Sequence, residues 1–73
     1  MQALTYLSAA LVLGLVGAAA AFSISQIGAK SVESMARQPE AAMNIRVSMI
    51  IAIAFVESIA LYALVVSFML LAK

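Results

Sequence analysis

The sequence predicts an all-α membrane protein, a two-transmembrane-helix hairpin with a short polar loop. Three observations carry that expectation. Hydrophobic residues make up 67% of the 73 positions and charged residues 10%, a balance that suits lipid better than water. Two apolar stretches, residues 3–29 and 47–72, are each long enough as helix to cross a hydrocarbon core of about 30 Å. Between them, residues 30–46 hold every charge except Glu57 and Lys73. The whole chain, residues 1–73, then reads as one small unit.

The same composition excludes other classes. With no Cys and no His, disulfide staples and the usual soft metal ligands are missing. A net charge of +1 is too weak to grip nucleic acid. No phosphate-binding glycine loop, metal cluster or nucleophile–base pair stands in the sequence. Two helices and a short loop offer no soluble catalytic pocket, so the chain is not expected to be an enzyme by itself.

The first helix is expected over residues 3–29, 27 positions without a formal charge. It is rich in small residues. Gly14, Ala18, Ala21, Ser25 and Gly28 follow spacings of 4, 3, 4 and 3, which places them on one face. Gly17, Ala19, Ala20 and Ser23 widen it. In lipid, small side chains let backbones approach closely, so this face predicts helix–helix packing. Breadth of this kind suits packing on both flanks, as a ring of identical helices requires. Ala18-Ala19-Ala20 resembles a signal-peptide cleavage site, but no Lys or Arg precedes the apolar run. The segment is therefore expected to be a membrane helix.

Residues 30–46 read KSVESMARQPEAAMNIR. Pro39 cannot continue a helix and turns Gln38 away from helical geometry. The turn is expected over residues 37–40, with helical flanks on either side. Three of the four basic residues lie here, so the positive-inside rule puts the loop in the cytoplasm and both termini on the outer side of the cell membrane. Lys73 is expected to anchor the far end.

The second helix is expected to begin near Asn44 or Val47. Glu57 follows Arg46 by eleven positions, and fifteen separate it from Ala72. A carboxylate at that depth lies near the bilayer centre, where an ionisable group costs about 2.5–3.5 kcal/mol on insertion scales. Such a residue calls for a functional role, and a carboxylate suits the pick-up and release of a cation. Ala54 and Ala60, three positions to either side, leave room beside it. Tyr62 lies about 140° around the helix from its own Glu57. Its hydroxyl either bonds a backbone carbonyl or reaches the Glu57 of a neighbouring copy.

These features together resemble the c subunit, or proteolipid, of bacterial F-type ATP synthases. The loop Ala36-Arg37-Gln38-Pro39-Glu40 matches the family's polar-loop signature. Glu57 lies twenty residues after Arg37, as in the family, and the run from Ser58 to Val66 is similar to bacterial members. The resemblance implies a homo-oligomeric ring of hairpins, first helices inside, embedded in the lipid bilayer and turning against a stator a subunit. It implies that Arg37, Gln38 and Pro39 dock on central-stalk subunits. It implies that Glu57 is protonated and deprotonated at mid-membrane, coupling proton flow to rotation and ATP synthesis in a distant catalytic head. No cofactor is implied, only a transported ion. The family's inner helix carries glycines at every second position. Here those positions read Gly17, Ala19, Ala21, Ser23 and Ser25. All are small, so close packing is expected to survive.

The ion is H⁺ or Na⁺. In sodium-binding members a first-helix glutamine, the glutamate and the next serine supply side-chain oxygens, and a tyrosine five residues on steadies the carboxylate. Glu57, Ser58 and Tyr62 match, but Ile24 stands at the glutamine position. Gln26 is about 160° away around the helix. With one ligand missing the sodium site is weakened, and a proton is favoured. Two other readings of a lone membrane glutamate are a small exporter and a structural hairpin. Neither requires the ARQP turn opposite the carboxylate, and exporters of this kind need more helices and aromatic-lined pockets.

Overall fold

The structure, a computed structural model, describes residues 1–72, so the expected anchor Lys73 lies outside the described residues. It is two long helices joined by one turn. Helix α1 spans Gln2–Arg37 and helix α2 spans Ala42–Ala72, with a 3₁₀ turn at Pro39–Ala41 between them. The molecule is a flat ribbon, 57 × 15 × 6 Å in principal extents. Both helices are long and apolar enough to cross a membrane.

Most of the expected polar loop is helical. Within residues 30–46 only Gln38 and the 3₁₀ turn leave the α-helical path. The expected start of α2 near Asn44 or Val47 moves back to Ala42. The physical reason is local. Glu33, Met35, Ala36, Arg37, Ala42 and Met43 are good helix formers, and charge does not oppose a helix that projects into water. Only Pro39 forces a break, through the residue before it. Gln38 sits at φ −129°, ψ 73°, outside the α region that a following proline disfavours. Its N–H donates to the Ser34 carbonyl at 2.9 Å, and Ala41 N–H to the Gln38 carbonyl at 2.9 Å, so the turn satisfies its own backbone.

The helices meet along a narrow seam. From α1 it takes Thr5, Ala9, Val12, Val16, Ala20, Ile27, Ser31 and Met35, and from α2 Ile45, Met49, Ala52, Val56, Ala60, Ala63, Ser67 and Leu70, all buried or half-buried. Apart from one seven-residue step between Ala20 and Ile27, their three- and four-residue spacing is the repeat of antiparallel helices packed along their length. Among the described residues only Ala9, Ala63 and Ser67 are buried outright. Near the termini the Ser67 Oγ–H donates across the seam to the Ala9 carbonyl at 3.1 Å. Ala9 has no bulk to hold the helices apart there, so hydroxyl and carbonyl meet.

Almost everything else faces outward. Leu15, Phe22, Phe55 and Tyr62 are each about two-thirds exposed. An apolar surface of this extent is far beyond what a soluble monomer carries and matches a chain solvated by lipid and by other helices.

Candidate functional site

Glu57 sits on α2 one position beyond Val56, a seam residue. One helical step is about 100°, so its carboxylate projects from the flank of the ribbon and not into the seam. It is exposed within the hairpin. Among the described residues it has no hydrogen-bond or ion-pair partner. Its depth is fixed by α1: Val56 lines one groove with Val16, Ala19 and Ala20, which places Glu57 level with the middle of the first helix.

The residues expected to support it do not converge on it within one hairpin. The Ser58 hydroxyl donates to the Ala54 carbonyl at 3.0 Å, back-bonded along its own helix. Tyr62 is 70% exposed and about 140° around the helix from Glu57. On α1, Ile24 is half-buried and Gln26 is exposed. Among the described residues no three acidic, His or Cys side chains cluster as metal ligands.

The small-residue face is unused inside the hairpin. Gly14, Gly17, Ala18, Ala19, Ala21 and Ser25 are exposed, while Ser23 and Gly28 are half-buried. A Cβ added at Gly14, Gly17 or Gly28 meets nothing within 4 Å. The centre of the small stripe is roughly 150° around α1 from the seam. The close approach these residues permit is therefore not to α2 of the same chain.

One side of the ribbon carries two shallow grooves. The first, about 390 Å³, lies at the depth of Glu57 between Leu15, Val16, Ala19, Ala20, Ser23, Val56 and Ile59. The second, about 380 Å³, lies nearer the turn between Ile27, Ser31, Asn44, Ile45, Ser48, Met49 and Ala52. Ile59 and Ser48 belong to the flank of α2 opposite Glu57.

At the turn, the Arg37 Nη2–H donates to Glu33 Oε1. Both side chains are mostly exposed, at 75% and 52%. Arg37 ends α1, where a cation also complements the unpaired carbonyls of the helix terminus. Gln38 and Pro39 follow at the tip, both exposed. The Glu33–Arg37 pair is absent from the sequence-based expectations, although its four-residue spacing is a usable signal. The Ser67–Ala9 bond has no such signal, because a serine in a membrane helix bonds its own i−4 carbonyl by default.

Comparison with known proteins agrees with this geometry. The family of ATP synthase C subunits matches residues 7–70. The ATP synthase c subunit of Lactobacillus helveticus is 40% identical over 70 residues, covering 96% of this chain and 91% of that protein. The c subunit of Latilactobacillus sakei is 37% identical over 68 residues, covering 93% and 97%. That of Bacteroides thetaiotaomicron is 48% identical over 60 residues, covering 82% and 71%. The chain belongs to the family of ATP synthase c subunits.

Proposed function

We propose that in this rotor component of a membrane ATP synthase, ion-translocating and itself non-catalytic, the carrier is Glu57 and the coupling ion is a proton. The observation that carries the reading is the isolation of Glu57. It stands at mid-helix on an apolar flank, with no cation or donor from its own hairpin to hold it charged. A charged carboxylate facing lipid is costly, so the group turns through the oily part of its path in the neutral form. Where water and a stator cation meet it, it releases its proton. The transmembrane potential contributes about 2.3 kcal/mol per charge per 100 mV, and successive steps sum to the work of synthesis.

The proton is favoured over sodium by the donor set. Sodium needs several oxygen ligands to replace its water shell. Ile24 brings no oxygen where the sodium-binding pattern has one, so the donor set falls one ligand short. A proton needs only the carboxyl and one acceptor.

Identical copies pack side by side in a ring, with α1 inside and the flanks of its broad small surface, Gly17 and Gly28 among them, turned to neighbouring copies. Unfilled space around Gly14, Gly17 and Gly28 supports this. The tip at Arg37, Gln38 and Pro39 docks on central-stalk subunits. It lies on the cytoplasmic side, where Lys30, Arg37 and Arg46 satisfy the positive-inside rule. The stator a subunit meets the outer edge of α2, beside Glu57.

The test is Glu57→Gln in the complete complex reconstituted into vesicles. ATP-driven proton pumping falls to background while the ring still assembles. Normal pumping by that variant would remove Glu57 as the carrier.

A further inference from the structure

Arg46 is unclaimed by the mechanism above. It is exposed, and among the described residues it makes no ion pair or hydrogen bond. Asn44 and Ser48 stand two positions to either side of it on α2, so each lies about 160° around the helix and within about 3 Å of it in height. Arg46 therefore projects from one flank of the ribbon while Asn44 and Ser48 line the groove on the other. Glu57 shares the Arg46 flank: eleven residues is close to three whole turns.

Resting on the side-by-side assembly proposed above, we propose that Arg46 of each copy seats in the groove formed by Ser31, Asn44 and Ser48 of the next copy. Cyclic symmetry holds all copies at one depth and sets one flank of each against the opposite flank of its neighbour. That operation brings Arg46 level with Asn44 and Ser48 without any vertical shift. The chemistry is complementary. A guanidinium carries five N–H donors in a planar fork and no acceptor. The groove supplies an amide oxygen and two hydroxyl oxygens, none engaged in a side-chain hydrogen bond among the described residues. Its floor of Ile27, Ile45, Met49 and Ala52 is apolar and receives the arginine stem. The competing occupant is an anionic lipid headgroup drawn by Lys30. The hydroxyls and amide can also donate to a phosphate, but the groove's lining holds no cation to pair with its charge, whereas it offers a guanidinium both acceptors and an apolar bed for its stem.

The contact is read most directly by cross-linking, because the chain has no cysteine of its own. In the double variant Arg46→Cys, Ser48→Cys the two thiols of one chain point to opposite sides of α2. A short bismaleimide added to intact membranes links copy to copy, giving a ladder that extends beyond the dimer. Each single variant stops at the dimer. Energetic coupling is read separately, from the temperature at which the detergent-resistant ring dissociates. Arg46→Ala and the pair Asn44→Ala, Ser48→Ala each lower it, and their combination lowers it no further. This second reading also serves if the double-cysteine variant fails to assemble. Strictly additive losses, or an intact ring without a ladder, overturn the proposal. So does retention of an anionic lipid that is lost on changing Asn44 and Ser48. If the unaltered chain forms no ring at all, it is the side-by-side reading that fails.

Discussion

Glu33 and Glu57 are the same side chain on the same ribbon, and their surroundings make them opposites. Glu33 lies at the watery end, half-exposed, bonded to an arginine one helical turn away. Its charge is solvated, and its pairing is a convenience. Glu57 lies in the apolar middle with no partner from its own chain. Its charge has no local remedy there, and that isolation is what supports the proposed carrier role. What separates the structural carboxylate from the proposed carrier here is depth and isolation, not residue type.

Each side of that contrast can be broken. The largest effect belongs to Glu57→Gln, which should abolish pumping while sparing assembly. Glu33→Gln should leave pumping nearly intact.

Next in size is the packing on which carrier and neighbours depend. Gly17→Leu should leave the isolated hairpin helical, because nothing stands within 4 Å of the added Cβ. The same change should prevent the detergent-resistant oligomer from forming. A ring of normal mobility would show that the small face is not an interface between copies.

A smaller effect is expected at the seam. Ser67→Ala removes the one buried cross-helix side-chain bond found among the described residues. Interhelical hydrogen bonds in membranes average about 0.6 kcal/mol, and a loss of that order should appear in hairpin unfolding in detergent. The smallest belongs to the tip. Glu33→Gln should cost only about 0.3–0.5 kcal/mol, the usual worth of an exposed i,i+4 pair, and the cost should shrink with added salt.

The same contrast explains what the sequence can and cannot reveal. Glu57 is legible because a charge inside an apolar run stands out against its background. Pro39 is legible because its ring dictates the geometry of Gln38. The seam is not. In a soluble helix the buried face is the apolar one, but α2 is apolar all round, so Val56 and Ile59 look alike in sequence while only Val56 packs against α1. The extension of both helices through residues 30–46 is legible only in part. Polar residues suggest a loop, whereas Ala36, Ala42 and Met43 are helix formers wherever the solvent lies. The surroundings of Glu57 are legible least of all. Ser58 and Tyr62 share its helix, yet that helix turns them to other sides, and neither touches Glu57 within the hairpin.

In the proposed cycle Glu57 alternates between a neutral and a charged form, and the neutral form is the protonated acid. Carbodiimide labelling tests it most directly, since the reagent attacks the protonated carboxyl in an apolar setting. Mass analysis of membranes treated across a range of pH should find Glu57 modified selectively, at a rate that falls as pH rises and does not respond to moderate sodium. Labelling that is independent of pH would contradict the carrier role, and protection by sodium would contradict the proton.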